Sequence, residues 1–194
     1  MSVQKNILLA ALAGFLSVSC ASTASDWKPA PFRAGQQRLA LGTNSFSQKT
    51  IEQEGQADQD ADVLRLNGSY GYFYQPNIEV GAMLSYEDQD VGGAESTTWI
   101  INGYGRYWID TRNSTRPFVQ GRVGIGNTDG GFVAAAGGSN DDDLVEYALG
   151  IGLSDFISQS TSLDLLLEWA DQQYDNTDRQ TDGLELSVGL SVYF

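Results

Sequence analysis

Acidic side chains are the chemically richest feature of this chain. Its 25 Asp and Glu stand against 11 Lys and Arg, for a formal net charge of -14 over 194 residues. Carboxylates can ligate a hard cation, work as a general acid and base, or hydrate a surface. Asp58-x-Asp60-x-Asp62 and Asp141-Asp142-Asp143 are oxygen-rich in the manner of calcium sites. Neither has the EF-hand spacing with its Gly and terminal Glu, so a solvated hydrophilic rim is the competing reading. Bridging of that rim to lipid phosphates by divalent cations is a third. The chain has no His, which removes the commonest general base and the commonest zinc ligand. Its single Cys excludes a disulfide framework and a Cys-cluster zinc site. The acidic balance argues against nucleic acid, whose phosphates require a basic patch. No acid pair is singled out by spacing for hydrolysis. The expectation is no catalytic residue, no cofactor and no metal.

The N-terminus reads as an address. Lys5 provides a positive region, residues 7–18 a short apolar stretch, and Ser19, Cys20, Ala21, Ser22, Thr23, Ala24 and Ser25 a run of small residues. This is a secretory signal peptide of bacterial type over residues 1–25, too short to span a membrane as a helix. Ser22 and Ala24 suit signal peptidase I. Alternatively, Ser17-Val18-Ser19-Cys20 resembles a lipobox, with Ser17 where Leu is usual, which implies cleavage before Cys20 and lipidation of its thiol. Residues 26–36, with Pro29 and Pro31, form a periplasmic lead-in that precedes the first strand.

From residue 37 to 194 the hydrophobic period is two. Leu184, Leu186, Val188, Leu190, Val192 and Phe194 share one face of the last segment, opposite Glu185, Ser187, Gly189, Ser191 and Tyr193. Seven earlier segments alternate in the same way, so eight strands are expected. Connections at residues 74–77, 110–117 and 156–161 are short. Those at 48–62, 88–95, 127–143 and 171–182 are longer or more polar. Short and long strictly alternate, as in an up-and-down antiparallel barrel with two chemically different rims. No internal linker or second domain is visible.

A soluble barrel would alternate too, with its apolar face inward. The placement of charge and of aromatics favours the membrane. Ionisable strand residues avoid the apolar parity: Arg38, Arg65, Glu79, Glu87, Arg106, Arg122, Glu146, Asp164, Glu168 and Glu185 all fall on the other face. A Lys or Arg facing lipid at mid-depth costs about 2–4 kcal/mol, which explains the segregation. Turned inward, these ten residues are expected to form a network of ion pairs, since a buried charge must be paired. Aromatics on the apolar parity cluster at strand ends. Tyr86, Trp99, Tyr147 and Trp169 adjoin the long connections, and Tyr70, Tyr72, Tyr107 and Phe194 the short ones. At about 3.3 Å per residue and roughly 40° tilt, Trp99 and Tyr107 lie about 20 Å apart along the membrane normal, close to the apolar band of a barrel.

The terminal pattern Ser187-x-Gly189-x-x-Val192-x-Phe194 resembles the signal by which the outer-membrane assembly machinery recognises barrels. The stretches at residues 71–82, 116–124, 149–156 and 162–165, with the last strand, resemble the small outer-membrane β-barrel superfamily that includes OmpA-type transmembrane domains, OmpX and OmpW. Their order and spacing carry the resemblance over nearly all of the mature chain. It implies an eight-stranded barrel in the outer membrane of a Gram-negative-type bacterium, both termini periplasmic, in contact with lipid and lipopolysaccharide. A monomer is expected, with no peptidoglycan-binding domain after Phe194. Lipid A-modifying barrels of this size are expected to use His with Ser, and no His is present to carry over. The role expected is therefore non-enzymatic: structural or surface-interacting, with an unknown extracellular ligand. The alternative is a narrow channel for small solutes or amphipathic molecules, gated by an Arg–Glu switch. The connections are expected to hold the whole excess charge, with 16 acids against Lys49 and Arg179.

Overall fold

Alternating strands with a lipid-facing side have no stable open edge, because an unpaired backbone group in hydrocarbon costs several kcal/mol, so the sheet must close. In the computed structural model it does. The model describes residues 32–53, 59–91, 94–111, 113–130, 141–175 and 179–194, the side chains at 45–53, 59–63, 89–91, 94–95, 130, 141 and 179 excepted. The signal peptide, Cys20 and most of the lead-in lie outside the described residues, as do Glu54, Asp58 and Asp178. The strands are β1 (Gln37–Gln53), β2 (Gln59–Gln75), β3 (Ile78–Val91), β4 (Ala94–Trp108), β5 (Thr115–Gly130), β6 (Asp141–Ser158), β7 (Thr161–Tyr174) and β8 (Arg179–Tyr193). Each pairs antiparallel with its chain neighbour, and β8 returns to β1, closing the barrel. No helix among the described residues is long and apolar enough to cross a membrane.

The strands run further than their sequence signal. The expected long connections at 48–62, 88–95, 127–143 and 171–182 are in large part β-ladder. Glu52, Asp60, Asp62, Asp88, Asp90, Glu95, Asp129, Asp141, Asp142, Asp143, Asp171 and Asp182 stand on strands and not in loops. Several acids are direct cross-strand partners, among them Asp62 and Asp90, Asp129 and Asp141, and Asp171 and Asp182. Polar composition alone marks these stretches as loops. Backbone pairing continues into water regardless, because the ladder is satisfied whichever side chains it carries. Two of these acids also depart from a solvated rim: Asp142 and Asp171 are buried.

Faces follow the alternation. Leu39, Leu41, Ile101, Ile125, Leu149 and Ile151 are exposed on the outer wall, as a lipid-facing surface requires. Leu186 is an exception: it is buried, although Leu184 and Leu190 beside it on the same face are exposed. Opposite it, β1 has a bulge between Asn44 and Phe46, and Phe46 pairs with Leu186. A bulge adds a residue and sharpens the local twist, which accounts for a break in the pattern there.

Glycines on the inner face make room for large neighbours. A Cβ at Gly81 would collide with Tyr104, one at Gly152 with Phe118, and one at Gly124 with Asn102. Large and small inward side chains are thus matched across adjacent strands, the condition for filling a small barrel. Gly103 and Gly105 face outward, and a Cβ at either would meet nothing within 4 Å.

Candidate functional site

All ten ionisable residues expected in the lumen are buried there. They are drawn from all eight strands and form two layers.

The layer nearer the short turns centres on Glu79. Arg38 donates to its Oε1 through Nε at 2.7 Å, Tyr104 OH to the same oxygen at 2.6 Å, and Trp108 Nε1 to Oε2 at 3.0 Å. Arg38 is on β1 and Glu79 on β3, so the pair reaches across β2. It does so over Gly71, the register partner of Arg38, where a Cβ would collide with the Glu79 carboxylate. Asp164 is the second acid of this layer. Ser154 and Ser162 donate to its Oδ1 at 2.6 and 2.7 Å, and Ser191 to Oδ2 at 2.6 Å. Arg38 Nη1 stands 3.5 Å from Asp164 and Arg106 Nη1 stands 3.8 Å from it. Arg106 donates twice to Gln120 Oε1, at 2.9 and 2.6 Å, and lies over the Phe118 ring at 3.9 Å from its centroid. Two guanidinium groups face two carboxylates.

The second layer holds Arg65 and Arg122 against Glu87, Glu146, Glu168 and Glu185. Arg65 reaches Glu87 and Glu146, each by a hydrogen bond of 2.5 Å, and Glu185 at 3.0 Å. Arg122 contacts Glu146 directly and Glu168 at 3.4 Å. Gln172 Nε2 donates to Glu87 and Glu146 at 3.1 and 3.0 Å, so a neutral amide supplies donors where guanidinium groups run short. Gln120 links the layers through a 3.1 Å bond to Glu168. A cavity of about 50 Å³ lies between the layers, room for water but for no solute.

Apolar closures bound the charged layers. Toward the long connections, Ile100, Leu144 and Tyr174 pack together inside the barrel. At the short-turn mouth, Phe32, Phe73, Trp108, Phe118, Phe156 and Tyr193 form one buried cluster, with Leu166 packed against it. Alternation puts Tyr193 on the inward parity but does not reveal the cluster. Its signal was inward-parity aromatics next to short turns. Phe32 gave no signal, because it precedes the first strand.

On the outside, Tyr70, Tyr72, Trp99, Tyr107, Tyr147, Trp169 and Phe194 are exposed. Tyr86 is half-buried and packs edge-on against Trp99, with ring centroids 4.8 Å apart. Tyr74, exposed near the short-turn rim, is a further outward aromatic that the alternation did not single out. Of the terminal pattern, Ser187, Gly189 and Val192 lie on β8 and Phe194 directly follows it. The Phe194 backbone is held by mutual hydrogen bonds with Gln37, at 2.8 and 3.0 Å. Among the described residues no three acidic side chains are grouped so as to hold a metal ion.

A closed barrel of eight antiparallel strands with an apolar outer wall and a charged, filled lumen has few homes other than a bilayer reached through the periplasm. The family model for the outer membrane protein beta-barrel domain matches residues 8–194. This chain belongs to that family. Its place is the outer membrane of a Gram-negative bacterium. Solved structures share the fold at low identity. Neisserial surface protein A is 14% identical, with a TM-score of 0.57, over 83% of this chain and 98% of that one. The outer membrane protein AlkL, solved in lipid bilayers, is 16% identical with a TM-score of 0.53, over 89% and 96%. Ail, the attachment invasion locus protein of Yersinia pestis, is 13% identical with a TM-score of 0.51, over 83% and 99%. No curated protein matches the sequence.

Proposed function

We propose that this protein is a sealed, non-enzymatic barrel whose work is done by its wall and its rim. The supporting observation is the filling of the lumen: an aromatic cluster at one mouth, two interlinked charge layers, and an apolar group toward the other mouth. In this reading the short turns and both termini face the periplasm, and the longer connections with their strand extensions carry acid outward. The outward aromatics sit at the two membrane interfaces, in contact with lipid and lipopolysaccharide. The pattern Ser187, Gly189, Val192 and Phe194 engages the assembly machinery, and the folded barrel stands as a monomer. The acidic rim is then either structural or a contact surface for an external ligand.

A narrow conduit is the second reading. The cavity between the layers favours it, since Arg106, which lines it, has an Nη1 that makes no hydrogen bond and can re-pair. Swelling of liposomes in a small sugar separates the two. The sealed barrel leaves swelling at the protein-free rate. A conduit raises it in proportion to the protein reconstituted.

A further inference from the structure

One member of the aromatic cluster does not belong to the barrel wall. Phe32 enters the short-turn mouth from the chain that precedes β1. The rings nearest it come from alternate strands: Phe73 on β2 at 4.5 Å between centroids, Trp108 on β4 at 4.7 Å, Tyr193 on β8 at 5.5 Å and Phe156 on β6 at 5.8 Å. Rings from the four even-numbered strands can converge on one side chain only near the barrel axis. The Arg116 guanidinium lies over Phe32, 4.4 Å from its centroid, and over Phe156 at 5.0 Å. Cation–π contact thus holds the ring from a further strand. The segment is shaped by a tight turn: Gln36 N donates to Arg33 O at 3.1 Å, and Gly35 takes a positive φ of 87° that side chains with a Cβ resist. Its backbone is tied to the wall through Gly35 N to Phe73 O and Phe73 N to Gln36 O, both 2.9 Å. Directly behind the cluster lie the first lumen charges, with Trp108 bonded to Glu79 and Ser162 bonded to Asp164.

We propose that residues 32–36 form a stopper, separable from the barrel, with Phe32 as its head and the four-ring socket as its seat. Seated, it keeps water from the Arg38–Glu79–Asp164 layer, where exclusion of water strengthens each ion pair. Withdrawn, it opens the short-turn mouth without unpairing any strand. This deepens the sealed-barrel reading, and the two can fail separately: swelling tests the whole lumen, the stopper only one mouth.

Access to a buried thiol tests it. Ser162 has no exposed surface and hydrogen-bonds Asp164 at 2.7 Å and Tyr193 at 3.3 Å, so it reports on the space behind the socket. In the full chain with Cys20 replaced by Ser, Ser162→Cys is refolded and treated with 2-aminoethyl methanethiosulfonate. Ser160→Cys in the exposed turn serves as the accessible control. The expected result is a thiol nearly inert beside native Phe32. Phe32→Ala should quicken its reaction about tenfold or more, through loss of a buried ring. Gly35→Val should do the same by unseating the turn while leaving every ring in place, and Phe32→Leu should fall between. Folding of each variant is read by heat-modifiable gel mobility. Equal rates with and without Phe32 would overturn the proposal, as would a native-background thiol as fast as the Ser160→Cys control. Failure of all three variants to fold would also overturn it, since a stopper leaves the barrel intact when removed.

Discussion

Glu79 shows what a single residue contributes in this lumen. Its two oxygens accept from Arg38, Tyr104 and Trp108, and none of its surface reaches solvent. Replacing it with Ala leaves the buried Arg38 guanidinium with Asp164, 3.5 Å from its Nη1, as its remaining acidic partner. Breaking a buried pair in this way costs about 3–5 kcal/mol. Urea unfolding of the barrel in micelles should show that loss for Glu79→Ala, and much less for the double replacement of Arg38 and Glu79 by Met. A double variant as unstable as the single one would show that the pair itself stabilises the barrel. Sequence alone turned Arg38 and Glu79 inward, because period-two alternation fixes the face of every strand residue. It could not pair them. They sit on strands that are not neighbours, and their meeting depends on the stagger of the closed barrel and on the empty space at Gly71. Phe32 was illegible for a related reason: no periodicity reaches a residue outside the strands.

At the scale of the strand, the glycines divide into two kinds. Gly81 faces inward against Tyr104, whereas Gly105 faces outward with open space around its Cβ position. Gly81→Ala should lower stability by about 1–3 kcal/mol, the usual cost of overpacking. Gly105→Ala should leave it unchanged or raise it by about 0.5–1 kcal/mol, because a strand glycine loses more conformational freedom on folding than Ala. Paired unfolding curves check both, and the opposite ordering would contradict the assigned faces. Strand number, order of connections and faces were all readable from alternation. Strand ends were not. Acids such as Asp62, Asp90, Asp171 and Asp182 signal solvent, which suggests a loop, yet the ladder continues through them. The bulge opposite Leu186 was equally hidden, since an extra residue in β1 shows only when the partner strand is known.

For the molecule as a whole, charge is sorted by position. The layer around Glu79 sets two arginines against two acids, and the neighbouring layer sets two arginines against four, with Gln172 supplying further donors. Most of the remaining acid lies toward the long-connection rim, now seen to be strand extension as much as loop. The wall between is apolar outside and filled inside. A barrel of eight strands has just enough interior for its side chains, and here an aromatic cluster, ion pairs and an apolar group take up much of it among the described residues. The most direct test of that account is ion conductance of the refolded barrel in a planar bilayer. The sealed lumen predicts a baseline without stable steps. Stable, resolvable steps whose size changes on replacing Arg65 or Arg106 would contradict it and establish a conduit through the charge layers.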